Sequence, residues 1–202
     1  THIGHSEKVL FMRVFITVLV LIFSLQSWAK TDDISDFEIE GISVGDSALN
    51  FFSRDQIVKN SRKYYKNKKF TPVQNDNLSF FKIYDAVDFN FMTGDNKYII
   101  HSISGVILIK NINDCIDKQN IIKNDLALIF PNAVRSSRDK IFNDDVWKGT
   151  RNTQFSFFLN NNGGSAAVHC YDYSEEHGGQ DHLSENLKTK KFNTFLLNEA
   201  YK

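Results

Sequence analysis

Thr153-Gln154-Phe155-Ser156-Phe157-Phe158-Leu159, then Asn160-Asn161-Asn162-Gly163-Gly164, then Ser165-Ala166-Ala167-Val168-His169-Cys170-Tyr171-Asp172-Tyr173, is the stretch on which the fold turns. Apolar residues recur at every second position on both sides of an Asn-Gly dipeptide, and these two residue types tolerate the positive φ values of a type I′ turn. Folding at Asn162-Gly163 sets Leu159 opposite Ala166, Phe157 opposite Val168 and Phe155 opposite Cys170. All six fall on one face, so turn chemistry and hydrophobic pattern predict the same antiparallel hairpin.

Cys170 ends the apolar row of that hairpin, and Cys115 is the other cysteine of the chain. Cys115 opens a segment in which Ile122, Leu126 and Ile129 follow on the same helical stripe. Asn113 or Asp114 is expected to cap this helix, which runs to about Phe130 and meets Pro131, where a helix cannot continue. If the helix packs on the face carrying Ala166, Val168 and Cys170, the two sulfurs come within bonding reach. A Cys115–Cys170 disulfide is therefore expected, the other reading being two buried free thiols that behave as small hydrophobes.

Alternation also marks a second hairpin, about Ser79 to Met92 and Lys97 to Lys110, across the turn Thr93-Gly94-Asp95-Asn96. Phe37, Ile39 and Ile42 with Gly41 and Gly45 predict a short first strand. Asp46 or Ser47 then caps a helical stretch, and Ser53 to Gln56 has the form of a capping box that restarts it. The basic run Arg62 to Lys69 ends at Thr71-Pro72, and residues 132–150 lack clear periodicity. A polar loop from Glu175 to Asp181 leads to a short strand near Leu183 and a last helix from about Thr189, with Phe192, Phe195 and Leu196 on one side. The order is strand, helix, hairpin, helix, hairpin, helix. It predicts an α+β fold, an antiparallel sheet built from two β-hairpins with helices packed on one face.

Met12 to Ala29 has the pattern of an export signal, with Arg13 ahead of an apolar run from Val14 to Leu25 and small residues around Trp28. Residues 1–11 read as an upstream extension, 12–29 as the signal peptide and 30–202 as a single α+β domain. The rival reading is a retained membrane anchor from Val9 to Trp28, although the uninterrupted apolar part is shorter than the ~20 residues a spanning helix needs. Cleavage leaves no stable membrane span and places the domain in the periplasm or outside the cell. Removing Lys8, Arg13 and Glu7 takes the 24 basic and 24 acidic residues to 22 and 23. This balance gives no drive toward nucleic acid or an anionic surface, and nucleic acid is not expected as a partner.

Within the first strand region, Ile39-Glu40-Gly41-Ile42-Ser43-Val44-Gly45-Asp46-Ser47 resembles the opening of small secreted proteins of AT-rich marine bacteria. The resemblance extends through the first hairpin and the Cys115 helix. It implies export and an α+β domain, and brings no activity or catalytic residues with it.

Three constellations carry possible chemistry. His169, Asp172, Glu175, Glu176, His177, Asp181 and His182 gather imidazoles and carboxylates as a divalent metal site requires. His177 and His182, however, lie five apart on a Gly-Gly loop, not on one helical face. Folding the Ser79–Lys110 hairpin at Gly94-Asp95 sets Asp88 opposite His101, an orienting pair for acid/base work, with Ser102 and Ser104 directed to the other face. The bland counterpart is a cross-strand ion pair. Arg62, Lys63, Lys66, Lys68 and Lys69 with Tyr64, Tyr65 and Phe70 combine cations and aromatics, as anionic headgroups or bases would need, or form a solvated segment whose rings tuck into the core. No cofactor motif is present, and none is expected. The expectation is an exported, non-enzymatic binding or interaction module for a protein or small molecule. Its alternative is a small metal-dependent or acid/base hydrolase using the region 169–182.

Overall fold

A computed structural model describes residues 33–76, 79, 81–143, 147–160, 163–176 and 178–202. The extension and signal-peptide readings for residues 1–29 lie outside them, as does His177. Two minimal strands, β1 (Glu38–Ile39) and β2 (Ile42–Ser43), form a tight hairpin whose turn residues Glu40 and Gly41 both have positive φ, 53° and 77°. A 3-10 turn (Ala48–Asn50) capped by Ser47 leads to helix α1 (Arg54–Asn60), where Ser53 and Gln56 make both halves of the predicted capping box.

The main sheet has seven antiparallel strands: β3 (Phe70–Asp76), β4 (Ala86–Met92), β5 (Ile100–Leu108), β6 (Val134–Ile141), β7 (Arg151–Phe158), β8 (Ser165–Asp172) and β9 (His182–Lys188). Their spatial order is β3-β4-β5-β9-β8-β7-β6. The α+β expectation holds, but two hairpins are not the sheet. The short strand near Leu183 is the seven-residue central strand β9, and it joins the two hairpin units by pairing with both β5 and β8. Helix α2 (Ile112–Ile129), capped by Asn111 and so starting two residues before the expected caps, crosses β7, β8 and β9. Helix α3 (Lys190–Asn198) is capped by Thr189.

Side-chain parity assigns the two faces. Val73, Val87, Phe89, Phe91, Ile103, Leu187, Ala166 and Phe157 point to one side, where Ile42, Phe52, Ile57, Phe130 and Leu126 cover them in one core. Cys115 and Cys170, 6.0 Å apart at Cα and both 1% exposed, are disulfide-bonded in the adjoining cluster with Val168 and Leu183. Phe70 and Met92 point the other way and pack against Phe192 and Phe195 of α3. Helices therefore occupy both faces, not one: α3 has its own aromatic cluster at one end of the second face. Much of the rest of that face is polar.

The Asn-Gly hairpin keeps its predicted faces but not its pairing. Phe157 lies opposite Ala166, Phe155 opposite Val168 and Thr153 opposite Cys170, a shift of two residues. Leu159 N–H bonds Gly164 O at 2.9 Å, and Gly163 has φ 61°. Gly164 sits against Ile34, where a Cβ would come within 2.5 Å of the Ile34 side chain. The N-terminal segment thus packs onto the one strand-start position that lacks a side chain, and a two-residue shift leaves the buried set intact.

Candidate functional site

The second face is an ordered lattice. Register places Gln74, Asp88, Ser104 and Asn186 side by side across β3, β4, β5 and β9, and Asp76, Ala86, Val106, Ser184 and His169 in the next row. Over the end of these rows lies a cavity of about 330 Å³. Gln74 and Asp76 line it from β3, Asp85 and Asp88 from β4 and its approach, Val106 and Leu108 from β5, Tyr173 and Gln180 from the segment before β9, and His182 from the first position of β9. Among the described residues its lining carries no Lys or Arg.

The rim is held from the core side. Glu40, at the tip of the first hairpin, accepts three backbone hydrogen bonds on one carboxylate oxygen, from the N–H groups of Lys82 (2.8 Å), Ile83 (2.7 Å) and Tyr84 (3.1 Å). The Tyr84 ring lies on Gly105, where a Cβ would meet it at 2.5 Å, so only glycine admits this packing. Asp85 follows directly. Its N–H bonds Val106 O and its carboxylate accepts from Leu108 N–H at 2.8 Å, which fixes it at the cavity mouth. On the other wall, Asp181 accepts from Tyr173 N–H at 2.8 Å and clamps the 173–181 loop.

Asp88 is the unusual group. One carboxylate oxygen takes a weak bond from Gln74 Nε2 at 3.4 Å, and the other, Oδ1, is buried without a hydrogen-bond partner. Burial and then the nearby Asp76 charge push its carboxyl up to about 7, against the lowering effect of Gln74. Burial lowers His182 and pushes Tyr173 up to about 12, so at neutral pH both are uncharged. The cavity is consequently acidic; the cation acting on Asp88 is Arg62, which lies outside the lining and only weakly offsets the rise.

That shift fixes a pH dependence. The folded chain holds the Asp88 proton up to about pH 7, whereas the unfolded chain releases it near 3.8, so stability falls as pH rises between these values and stays reduced above them. Asp88→Asn should therefore match the parent near pH 4 and exceed it by about 4 kcal/mol at about pH 8. Urea unfolding at both pH values measures this, and an equal difference at the two would remove the assignment.

The expected Asp88–His101 pair does not form. A bulge between Asn90 and Phe91 and a longer turn shift the register, so Asp88 faces Ser104, and Ser104 shares its face instead of pointing away. Ser104 donates to Asn186 at 2.7 Å. The turn is long because Asp95 accepts from Lys97 and Ile99 N–H groups and Tyr98 adopts φ 51°. His101 lies at the bulge instead, edge-on to Phe70 and 3.3 Å from Thr189 Oγ1.

Of the metal-type residues, His169 and His182 lie on the same face, but the Tyr171 ring stands between them, its centroid 5.8 Å and 4.8 Å from theirs. His182 Nδ1 lies 2.9 Å from Gln180 O and Asp181 is engaged by Tyr173. Among the described residues no group of three or more His, Cys, Asp or Glu side chains is arranged to hold a metal ion. Tyr65 of the basic run turns inward against Phe195 and bonds Asn90, and Lys69 pairs with Glu199 at 2.9 Å. Gln74, Asp76, Asp85, Tyr173 and Gln180 were not singled out from sequence. The alternation of Pro72, Gln74 and Asp76 with Thr71, Val73 and Asn75 is the signal that marks the first two, and Pro72 masks it.

Comparison with family models, curated proteins and solved structures gives no match. No helix among the described residues is long and apolar enough to cross a membrane.

Proposed function

We propose that the chain is an exported, non-enzymatic binding module, and that its cavity takes a small organic cation bearing N–H donors, such as a protonated amine. The observation that carries this reading is the buried, unpartnered Asp88 Oδ1 beside Asp76 and Asp85, in a cavity whose lining among the described residues has no Lys or Arg. A buried acceptor left unmade costs free energy that a donating ligand returns, and a cation also relieves the repulsion among the three carboxylates. Tyr173 and His182 supply ring surface for the ligand's apolar part. Export rests on the leader sequence and is favoured by the disulfide, which persists in oxidising compartments.

Calorimetry with a panel of small ammonium compounds, matched neutral alcohols and matched carboxylates tests the reading. Binding should be confined to the ammonium set, weaken about tenfold to a hundredfold in Asp88→Asn, and proceed without turnover. Preference for the neutral or anionic set, or an Asp88→Asn variant that binds as the parent does, would refute it.

A further inference from the structure

The seven-stranded sheet has one closed edge and one open one. At β3, Ser61 bridges to Val73, Arg62 N–H bonds Pro72 O at 2.8 Å, and Pro72 itself offers no donor, so the edge is covered. At the other end β6 pairs with β7 through eight consecutive positions without a bulge, and among the described residues no strand lies on its outer side. The hydrogen-bonding phase of β6 is fixed by its continuation: Phe142 N–H bonds Thr150 O at 2.9 Å in the same register. Counting back by twos, Lys140, Arg138, Ser136 and Val134 direct their backbone groups to β7, whereas Ile141, Asp139, Ser137 and Arg135 direct theirs outward.

We propose that this free edge pairs with its own copy, antiparallel about a two-fold axis at Ser137, joining two sheets into one. Outward groups must meet outward groups, so only registers that match odd positions with odd positions are allowed. Centring on Ser137 places Arg135 opposite Asp139 of the other copy, twice by symmetry, where the Asp139 carboxylate also accepts from Arg151 of its own chain at 2.7 and 2.9 Å, with Arg138 opposite Ser136. Centring on Arg138 opposes two arginines, on Asp139 two aspartates and on Arg135 again two arginines. Centring on Ser136 opposes no charges at all. Opposite charges directly across a strand pair stabilise and like charges destabilise, so the Ser137 register is selected.

Packing agrees with charge. In this register Ile141, 57% exposed in the single chain, lies across from Ala133 of the copy. Arg135 Nη2 donates to Ala127 O, which places the end of α2 at the same spot, where Leu128 is 81% exposed. The helices of both copies fall on one side of the joined sheet, because a two-fold perpendicular to a sheet preserves its faces. The cavity is lined from β3, β4, β5 and the 173–182 segment and by nothing on β6, so the dimer stands independently of the ligand reading.

Sedimentation equilibrium of the full chain tests this, together with Ser137→Pro. That substitution removes only an outward N–H, leaves the β6–β7 ladder intact and is the kind an edge strand tolerates. The parent should be a dimer, and the dissociation constant should rise by about a hundredfold in Ser137→Pro with the circular dichroism unchanged. Arg135→Asp should weaken the dimer, because it sets two carboxylates opposite each other where an ion pair stood. Amide exchange at 135, 137 and 139 should slow with parent concentration, a readout that needs no variant. A parent that stays monomeric, a dimer indifferent to Ser137→Pro, or exchange at these amides independent of concentration would each overturn the proposal.

Discussion

Replacing Cys115 and Cys170 together by Ala lowers unfolding stability by about 4 kcal/mol, and adding reductant to the parent has nearly the same effect. The bond joins positions 55 apart in sequence, the first turn of α2 and the middle of β8, and so closes a long loop in the unfolded chain. Loop-closure entropy over that length accounts for most of the loss. Both sulfurs are also buried against Val168 and Leu183, so truncation leaves a small void. Against a domain stability of about 5–15 kcal/mol, this is a large fraction. The buried side chain of Gln119 keeps α2 in place when the bond is gone. It donates to Thr153 O at 2.8 Å and Val168 O at 3.2 Å, and accepts from Thr153 Oγ1. The double variant should therefore fold, with its urea midpoint lowered and its slope unchanged, and reductant should not shift it further. A difference below about 1 kcal/mol would mean that the unfolded chain is already compact around this loop.

The fates of particular strands show what the sequence could and could not carry. β7 and β8 were legible because one face is buried and the other is not, and a period of two survives a register error of two. β6 was illegible for the opposite reason. Seven of its eight residues are exposed, so no layer imposes a pattern and only the hydrogen bonds to β7 make it a strand. β9 was reduced to a short piece because Ser184, Asn186 and Lys188 face the polar side while Glu185 breaks the apolar row between Leu183 and Leu187. The Cys115 stripe held through Ile122 and Leu126, with Gln119 filling the helical turn that an apolar residue would ordinarily occupy, but not at Ile129, which is 40% exposed. For the site, alternation put Asp88 on the right side of β4, but its neighbours depend on a bulge and on a loop clamped by Asp95, which no periodicity records. Asp76 and Asp85 join it only because separate strands stop at the same end of the sheet.

Phe89→Ala costs about 4 kcal/mol and also weakens the cavity, and the two effects separate from each other in a control variant. Phe89 is fully buried at the centre of β4, between Val73 and Ile103 on the neighbouring strands, with Phe52 stacked on it at 5.3 Å. Removing the ring deletes the contact that seats the Ala48–Asn50 turn region on the sheet and leaves a void that close packing cannot refill. Phe89→Leu keeps most of the volume and should cost about 1 kcal/mol. Asp88 is the next residue and points to the opposite face, so slack at Phe89 is transmitted through one peptide unit to the carboxylate whose placement defines the cavity. Phe157→Ala, in the same core but on β7, should cost a similar amount of stability and leave ammonium affinity unchanged, because β7 contributes nothing to the cavity lining. Urea unfolding and calorimetry on the three variants supply the comparison. Equal loss of affinity in Phe89→Ala and Phe157→Ala would show that ligand binding follows global stability, and equal retention would show that Asp88 is positioned by its own hydrogen bond to Gln74 and not by the ring beneath it.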